Sequence, residues 1–203
     1  MASAGRAAWY GVCVMLVESS RLGGTCVNAG CVPKKVMWNA ASMAEALEDA
    51  PSFGFTSLKK GALDWKHLKE ARDAYVVRLN GIYASNLDKD KVDLFRGQGS
   101  FVDPHTVAVG DQRLKANRFV IATGGHPMMP QLPGIEHAIS SNGFFELEQL
   151  PPRSLVVGGG YIGVELSGVL NALGSDVHLA TRREHGFHAF DSMLQTHLHE
   201  KNG

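Results

Sequence analysis

The 203-residue chain has no excess charge of either sign: 20 Lys and Arg balance 20 Asp and Glu. Without a surplus of positive charge it lacks the long-range attraction that nucleic acids and acidic membrane surfaces exert on basic proteins, so neither is expected as its partner. No apolar run approaches the ~20 residues of a membrane-crossing helix. The start of the chain has no basic segment followed by a long apolar stretch, so no secretory signal is expected. Three cysteines are too few for a secreted disulfide scaffold, and a catalytic pair in a reducing compartment suits the count better. The length suits one large or two small domains.

What the chain does have is glycine, 23 residues of it, gathered in clusters. The first cluster holds two of the three cysteines, in Gly-Gly-Thr-Cys-Val-Asn-Ala-Gly-Cys-Val-Pro-Lys-Lys over residues 23–35. Cys26 and Cys31 are near enough in sequence for a local disulfide, and the small residues between them permit a tight backbone. Pro33 suits the first turn of a helix. A thiol at a helix N-terminus is held partly as thiolate by the backbone N–H groups and the helix dipole, and Lys34 and Lys35 add positive charge. The pattern is that of a redox-active dithiol. The competing reading, a zinc site, needs four ligands. None of the nine histidines is near the pair in sequence, and Cys13 lies in an apolar run where it is expected as a core filler. No metal ligands are assigned.

Along the chain, residues 12–17 are continuously apolar and end in Glu18. They read as a buried parallel strand with an acid at its tip, where a nucleotide ribose would be held. Residues 34–48 read as a helix. Residues 65–88 read as a longer one, capped by Asp64 and burying Leu68, Ala71, Tyr75, Leu79, Ile82 and Tyr83. Four short runs follow, at residues 92–95, 99–102, 106–109 and 118–122, with turns at Asp103-Pro104 and Gly110-Asp111, as in a small β-meander. Residues 119–122 lead into Thr123-Gly124-Gly125, a second strand end with a glycine turn. Residues 126–133 read as an irregular connection between domains.

The second glycine cluster is sharper. The strand Leu155-Val156-Val157 runs straight into Gly158-Gly159-Gly160-Tyr161-Ile162-Gly163, then a helix to Gly174 and a further strand over residues 177–180. This is Gly-x-Gly-x-x-Gly between a strand and a helix. Gly158 permits the turn, Gly160 lets a pyrophosphate approach the backbone, and Gly163 lets the helix pack on the strand. The next strand ends in Thr181-Arg182-Arg183 rather than in the acid that NAD prefers. Two guanidinium groups suit a 2′-phosphate, hence NADP.

Taken together, these segments resemble the flavoprotein pyridine nucleotide-disulfide oxidoreductase family over residues 10–193. The most specific match is residues 22–38. Thioredoxin reductases and lipoamide dehydrogenases share the cysteine spacing, whereas Val36-Met37-Trp38-Asn39 is more similar to the glutathione reductases. Residues 122–125, 141–146 and 160–165 also match in order. The resemblance implies an α/β fold. A doubly wound Rossmann-like FAD domain with the redox disulfide would occupy residues 1–125, and part of an NADPH-binding Rossmann-like domain residues 126–203. It implies FAD and NADPH as cofactors and glutathione disulfide as substrate, with reducing equivalents reaching the substrate through a Cys26–Cys31 disulfide. Cys26 would be the interchange thiol and Cys31 the charge-transfer thiol. Lys34, paired with Glu165, would stand at the flavin; read from its own surroundings it could equally be a solvated cap. Tyr161 would cover the nicotinamide pocket. Tyr83 would touch glutathione, or serve as a core aromatic of its helix. Glu18, Thr25, Gly99, Thr123 and Gly124 would be further cofactor contacts, beside Gly158, Gly160, Gly163 and Arg182.

The departures are as specific as the matches. Residues 1–6 fall inside the helix that in the family follows the FAD pyrophosphate loop, so the first strand and its three glycines are expected to be missing. Gly5 stands where the family has an arginine that holds glutathione, and His188 where it has a second phosphate-binding arginine. The last residues fall part-way through the NADPH domain. The dimerisation domain, with the His–Glu pair that protonates the leaving thiol, is then also expected to be absent. A general acid of that kind contributes ~10²–10⁴-fold in rate. Longer relatives are expected to homodimerise, while this chain by itself is expected to be inactive. Two alternatives stand beside the reductase: a non-catalytic truncated remnant, and a disulfide reductase of the thioredoxin reductase kind. The expected compartment is the cytoplasm, with the mitochondrion second.

Overall fold

The structure, a computed structural model, describes residues 1–182 and 190–202. In chain order its elements are α1 (Ala2–Trp9), β1 (Met15–Glu18), α2 (Gly24–Ala29), α3 (Cys31–Asp49), α4 (Trp65–Lys89), β2 (Asp93–Arg96), β3 (Gly99–Asp103), β4 (Thr106–Val109), β5 (Gln112–Lys115), α5 (Ser141–Phe144), β6 (Arg153–Val157), α6 (Tyr161–Leu173), β7 (Asp176–Ala180) and α7 (Ser192–Asn202). They form two compact units, one of Met1–Val32 with Asp73–Met128 and one of Pro33–Arg72 with Met129–Gly203.

In the first unit β1 and β2 pair in parallel, from Met15 opposite Asp93 to Glu18 opposite Arg96. The apolar run that begins at residue 12 becomes strand only from Met15, and its residues are half-buried rather than buried. Backbone pairing decides this, because β2 has no residue opposite positions 12 and 13. Val12 and Cys13 are exposed, so Cys13 is not the core filler that its neighbours suggested. The core consists of Leu22, Leu87 and Val92, against which Met1, Ala4, Ala8, Val14, Leu16, Tyr83, Ala84 and Leu94 pack. Burying a Leu or Val side chain stabilises a fold by about 1.5–3 kcal/mol, so this small cluster is what joins the parallel pair to α1 and α4.

The expected four-run meander is redistributed. Its first run is β2, in the parallel pair. The antiparallel sheet is β3-β4-β5, and its third strand is Gln112–Lys115, which polar residues concealed. Residues 118–122 form no strand, and Val120 and Ile121 are exposed. A strand needs a partner for its backbone N–H and C=O groups, and among the described residues none pairs with this run.

In the second unit, Asp64 accepts a hydrogen bond from the His67 N–H at 2.9 Å and caps α4 as its sequence suggested. The buried stripe of α4 is Trp65, Arg72, Val76 and Leu87, while Ala71, Tyr75 and Ile82 are exposed. The stripe is helical in period but contains a charge, which hydrophobic pattern-reading passes over. Arg72 is 1 % exposed. It donates from Nη2 to the Phe145 carbonyl at 2.6 Å and lies 5.6 Å from the Phe145 ring. Trp65 Nε1 donates to the Leu147 carbonyl at 2.9 Å, and its ring meets Phe144 edge-on. The segment of α5 is thus tied to α4 by two backbone carbonyls. Beyond it, β6 and β7 pair in parallel from Arg153 opposite Asp176 to Val157 opposite Ala180, with α6 as their crossover.

Two outcomes are expected. Arg72→Ala leaves the Phe145 carbonyl without a buried donor and opens a cavity, so urea unfolding should show a loss of about 2–4 kcal/mol. Asp103 accepts the His105 N–H at 2.7 Å across the β3–β4 turn, and this bond, followed by one with the Thr106 side chain, lowers its pKa. A carboxyl lowered on folding contributes stability above its ordinary pKa and loses it as pH falls through the lowered one. An NMR titration should place the Asp103 midpoint below that of an ordinary aspartate; a midpoint at or above it would refute the bond's electrostatic role.

Candidate functional site

The dithiol is assembled where α2 meets α3. Cys26 is the third residue of α2 and Cys31 the first of α3. Both are exposed, and both are free thiols. Two glycines bring them together. Gly23, at φ 103°, turns the chain into α2, and any side chain there would strike that of Val27, at 2.6 Å from Cβ to Cβ. At Gly30 a Cβ would lie 2.8 Å from the Thr25 carbonyl oxygen and 3.2 Å from Cys26 Cα. Only hydrogen fits there, and that close return of the chain sets Cys31 beside Cys26. The Cys26 pKa is raised. The largest cause is its hydrogen bond to the Cys31 side chain, followed by partial burial and the charge of Cys31. A neighbouring thiol shares the proton and resists a second negative charge. Cys26, in the first turn of the short α2, is therefore tuned opposite to the thiolate expected of a helix N-terminus.

In the second unit, the Gly158–Gly163 turn has the geometry of a dinucleotide cradle. Gly158 has φ 124°, a value open to glycine. A Cβ at Gly163 would collide with the Gly158 carbonyl oxygen, while one at Gly160 would meet nothing within 4 Å. Gly160 is the N-cap of the 13-residue α6, with no side-chain cap and no acid in its first turn. The positive end of the helix is thus left without a side-chain cap, and the residues present fit a pyrophosphate. Arg182 is exposed just past the tip of β7; Arg183 and His188 lie outside the described residues. Lys34 forms an ion pair with Glu165, 131 positions away in sequence. The Lys34 ammonium also lies 6.0 Å from the Tyr161 ring centroid. At 25 % and 40 % side-chain exposure such a pair contributes little to stability, so its effect is to fix where the Lys34 charge stands.

The remaining candidates are dispersed. Glu18 stands at the tip of β1, where it accepts the Ser20 N–H at 2.9 Å. The C-terminal end of a parallel strand is where nucleotides bind in α/β sheets, and a carboxylate there fits a ribose. Thr25 is exposed on α2. A Cβ at Gly99 would sit 3.3 Å from Val17 and Val107, so packing alone explains that glycine. Thr123 and Gly124 are exposed in an irregular segment. Tyr83 packs against the Leu22–Leu87–Val92 cluster and is half-buried. Among the described residues no group of His, Cys, Asp or Glu could hold a metal ion, and no helix is long and apolar enough to cross a membrane.

Sequence reading missed two asparagines. Asn28 and Asn80 hydrogen-bond each other at 3.0 Å, and both donate to the Leu22 carbonyl at the entry to the cysteine loop. Asn28 was in view inside the motif; nothing local marked Asn80.

Because Cys31 raises the Cys26 pKa, Cys31→Ala should move it down. The iodoacetamide alkylation of Cys26, followed against pH by peptide mass spectrometry, should then rise at lower pH than in the parent chain. An unchanged profile would exclude the coupling.

Comparison with known proteins agrees with this geometry. The family model described as pyridine nucleotide-disulphide oxidoreductase matches residues 1–202. The glutathione reductase of Schizosaccharomyces pombe is 48 % identical over 202 residues, covering 96 % of this chain, and that of Yarrowia lipolytica is 47 % identical over 208 residues, again covering 96 %. The chain spans 44 % of the length of each of these relatives. With the cysteine pair, the glycine turn and the parallel βαβ unit in place, the chain belongs to the pyridine nucleotide-disulphide oxidoreductase family.

Proposed function

We propose that the chain carries the dithiol and nucleotide sites of an NADPH-dependent, FAD-containing glutathione-disulfide reductase. Residues 1–125 would serve FAD and the dithiol, and residues 126–203 NADPH. The observation that carries this reading is the Cys26–Cys31 pair, two exposed thiols at a helix junction that admits only glycine behind it. The relatives named above, both glutathione reductases, supply the substrate.

The thiol chemistry follows from the two sulfurs. Cys26, as thiolate, attacks one sulfur of glutathione disulfide; the S–S bond breaks, and one glutathione leaves as a thiolate and takes a proton from solvent. Cys31 then attacks the Cys26 sulfur of the mixed disulfide, releasing the second glutathione and closing the Cys26–Cys31 bond. Two protein thiols are oxidised and one disulfide is reduced. FAD and NADPH, when bound, supply the two-electron reduction that returns the pair to dithiol. Glu18, Thr25, Gly99, Thr123 and Gly124 would hold the flavin nucleotide. Gly158, Gly160, Gly163 and Arg182 would hold NADPH, with Tyr161 over its nicotinamide pocket. Lys34, fixed by Glu165, would place a positive charge where reduction builds negative charge. Tyr83 would contact glutathione. Full-length relatives would act as homodimers, and the compartment expected for this chain is the cytoplasm, with the mitochondrion second.

The test uses the reduced chain and glutathione disulfide. The parent should end with an internal Cys26–Cys31 disulfide, and Cys31→Ser should stop at a single glutathione on Cys26, read by peptide mass. After FAD addition and desalting, a retained flavin band that changes on NADPH addition would support the cofactor assignment. A colourless chain that still closes its disulfide keeps the thiol chemistry and removes the flavin; failure of Cys26 to react overturns the reading.

A further inference from the structure

The cysteine loop is held by two amides that the chemistry above does not use. Asn80, on α4, donates from Nδ2 to the Leu22 carbonyl at 2.7 Å and to Asn28 Oδ1 at 3.0 Å. Asn28, between the two cysteines, donates from Nδ2 to the carbonyls of Gly24 at 2.9 Å and Leu22 at 3.0 Å. An amide NH₂ has two hydrogens. Those of Asn80 are both committed to the loop, and those of Asn28 both return to the first residues of α2 and its approach. The Asn28 carbonyl oxygen is in turn fixed by Asn80. Leu22 is 1 % exposed in the core cluster, so the carbonyl on which both amides converge belongs to an anchored residue. The network therefore joins three things: α4, the anchored entry to the loop, and the residue two positions after Cys26.

That placement bears on the dithiol. The six-residue α2 is too short to be stable by its own hydrogen bonds. Without an external tie its position, and with it that of Cys26 relative to Cys31, would rest on the buried Val27 and the Gly23 and Gly30 contacts. Asn80 also sits one turn before Tyr83 on α4, so a single helix carries both the tie and the residue assigned to glutathione.

We propose that Asn80 is a positioning residue for the dithiol: its amide, acting through Leu22 and Asn28, holds α2 so that the Cys26 sulfur stays within bonding reach of Cys31. This rests on the reading of Cys26 and Cys31 as a redox pair. The consequence is an equilibrium. A loop held in place favours closure of the internal disulfide over a mixed disulfide with glutathione; a released loop loses that advantage. Two hydrogen bonds of ordinary strength make the expected loss about tenfold.

The experiment equilibrates the full chain, Asn80→Ala and Asn80→Gln in glutathione redox buffers. Acid quenching, alkylation and peptide mass then give the ratio of internal to mixed disulfide at Cys26, and circular dichroism gives each melting temperature. In Asn80→Ala the ratio should fall about tenfold while the variant still melts cooperatively. Asn80→Gln, which keeps both donors on a longer arm, should recover part of the loss. Asn28→Ala should reproduce the loss, and the double variant should lose no more than either single one, because the amides act as one unit. A purely structural role would lower the melting temperature and leave the ratio in the folded chain unchanged, which overturns the proposal. If Asn80→Ala does not fold, Asn28→Ala is read in its place, and an unchanged ratio there overturns it equally. If the parent forms no internal disulfide at any buffer ratio, the redox reading fails and this proposal with it; parent closure with insensitive variants removes the proposal alone.

Discussion

Two sulfurs five positions apart have to meet across a break between helices, and the backbone must turn back on itself to let them. Nothing larger than hydrogen fits at Gly30 against the Thr25 carbonyl and Cys26 Cα, and nothing larger fits at Gly23 against Val27. The rest of the first unit can be understood as support for this return. Leu22 anchors the approach in the core with Leu87 and Val92, and Asn80 and Asn28 hold the carbonyl that leads into α2. Both thiols are exposed, and in the chemistry proposed above it is Cys26 that a disulfide would have to reach, in line with the bond being broken.

The second unit solves a different problem with the same residue type. At Gly158 the chain takes a conformation that side chains disfavour, at Gly163 it touches its own backbone, and at Gly160 it leaves space. The outcome is a helix N-terminus without a side-chain cap, which fits an anion from backbone alone. Charge is then added sparingly. Lys34 is held by Glu165, and Arg182 is exposed just past the end of β7.

The elements that could be read in advance were those whose signals are local. The helices at 31–49 and 65–89 have apolar period, and Asp64 is a side-chain cap that acts within one turn. The strand–glycine–helix–strand of residues 153–180 combines a pattern of residue types with fixed spacing. Strands were less legible because pairing is not local. β2 was grouped with the meander when its partner is β1, β5 was hidden by its polar residues, and residues 118–122 have strand composition but no partner among the described residues. The buried stripe of α4 was misjudged for a further reason. Its most deeply buried side chain is Arg72, whose burial depends on the carbonyl of Phe145, 73 positions away.

The sequence by itself determined which groups are present: two cysteines at fixed spacing, a glycine turn between strand and helix, arginine rather than acid after the following strand, and a neutral charge balance. These are properties of residue type and short separation, and they do not depend on packing. Tertiary structure alone decided the state of those groups. The raised Cys26 pKa requires the Cys31 side chain to be beside it. The position of the Lys34 charge requires a carboxylate from α6. The seating of the cysteine loop requires an asparagine 58 positions from the carbonyl it holds. Each is an interaction between groups remote in sequence, whose strength depends on separation in space, and separation in space is set only when the chain has folded.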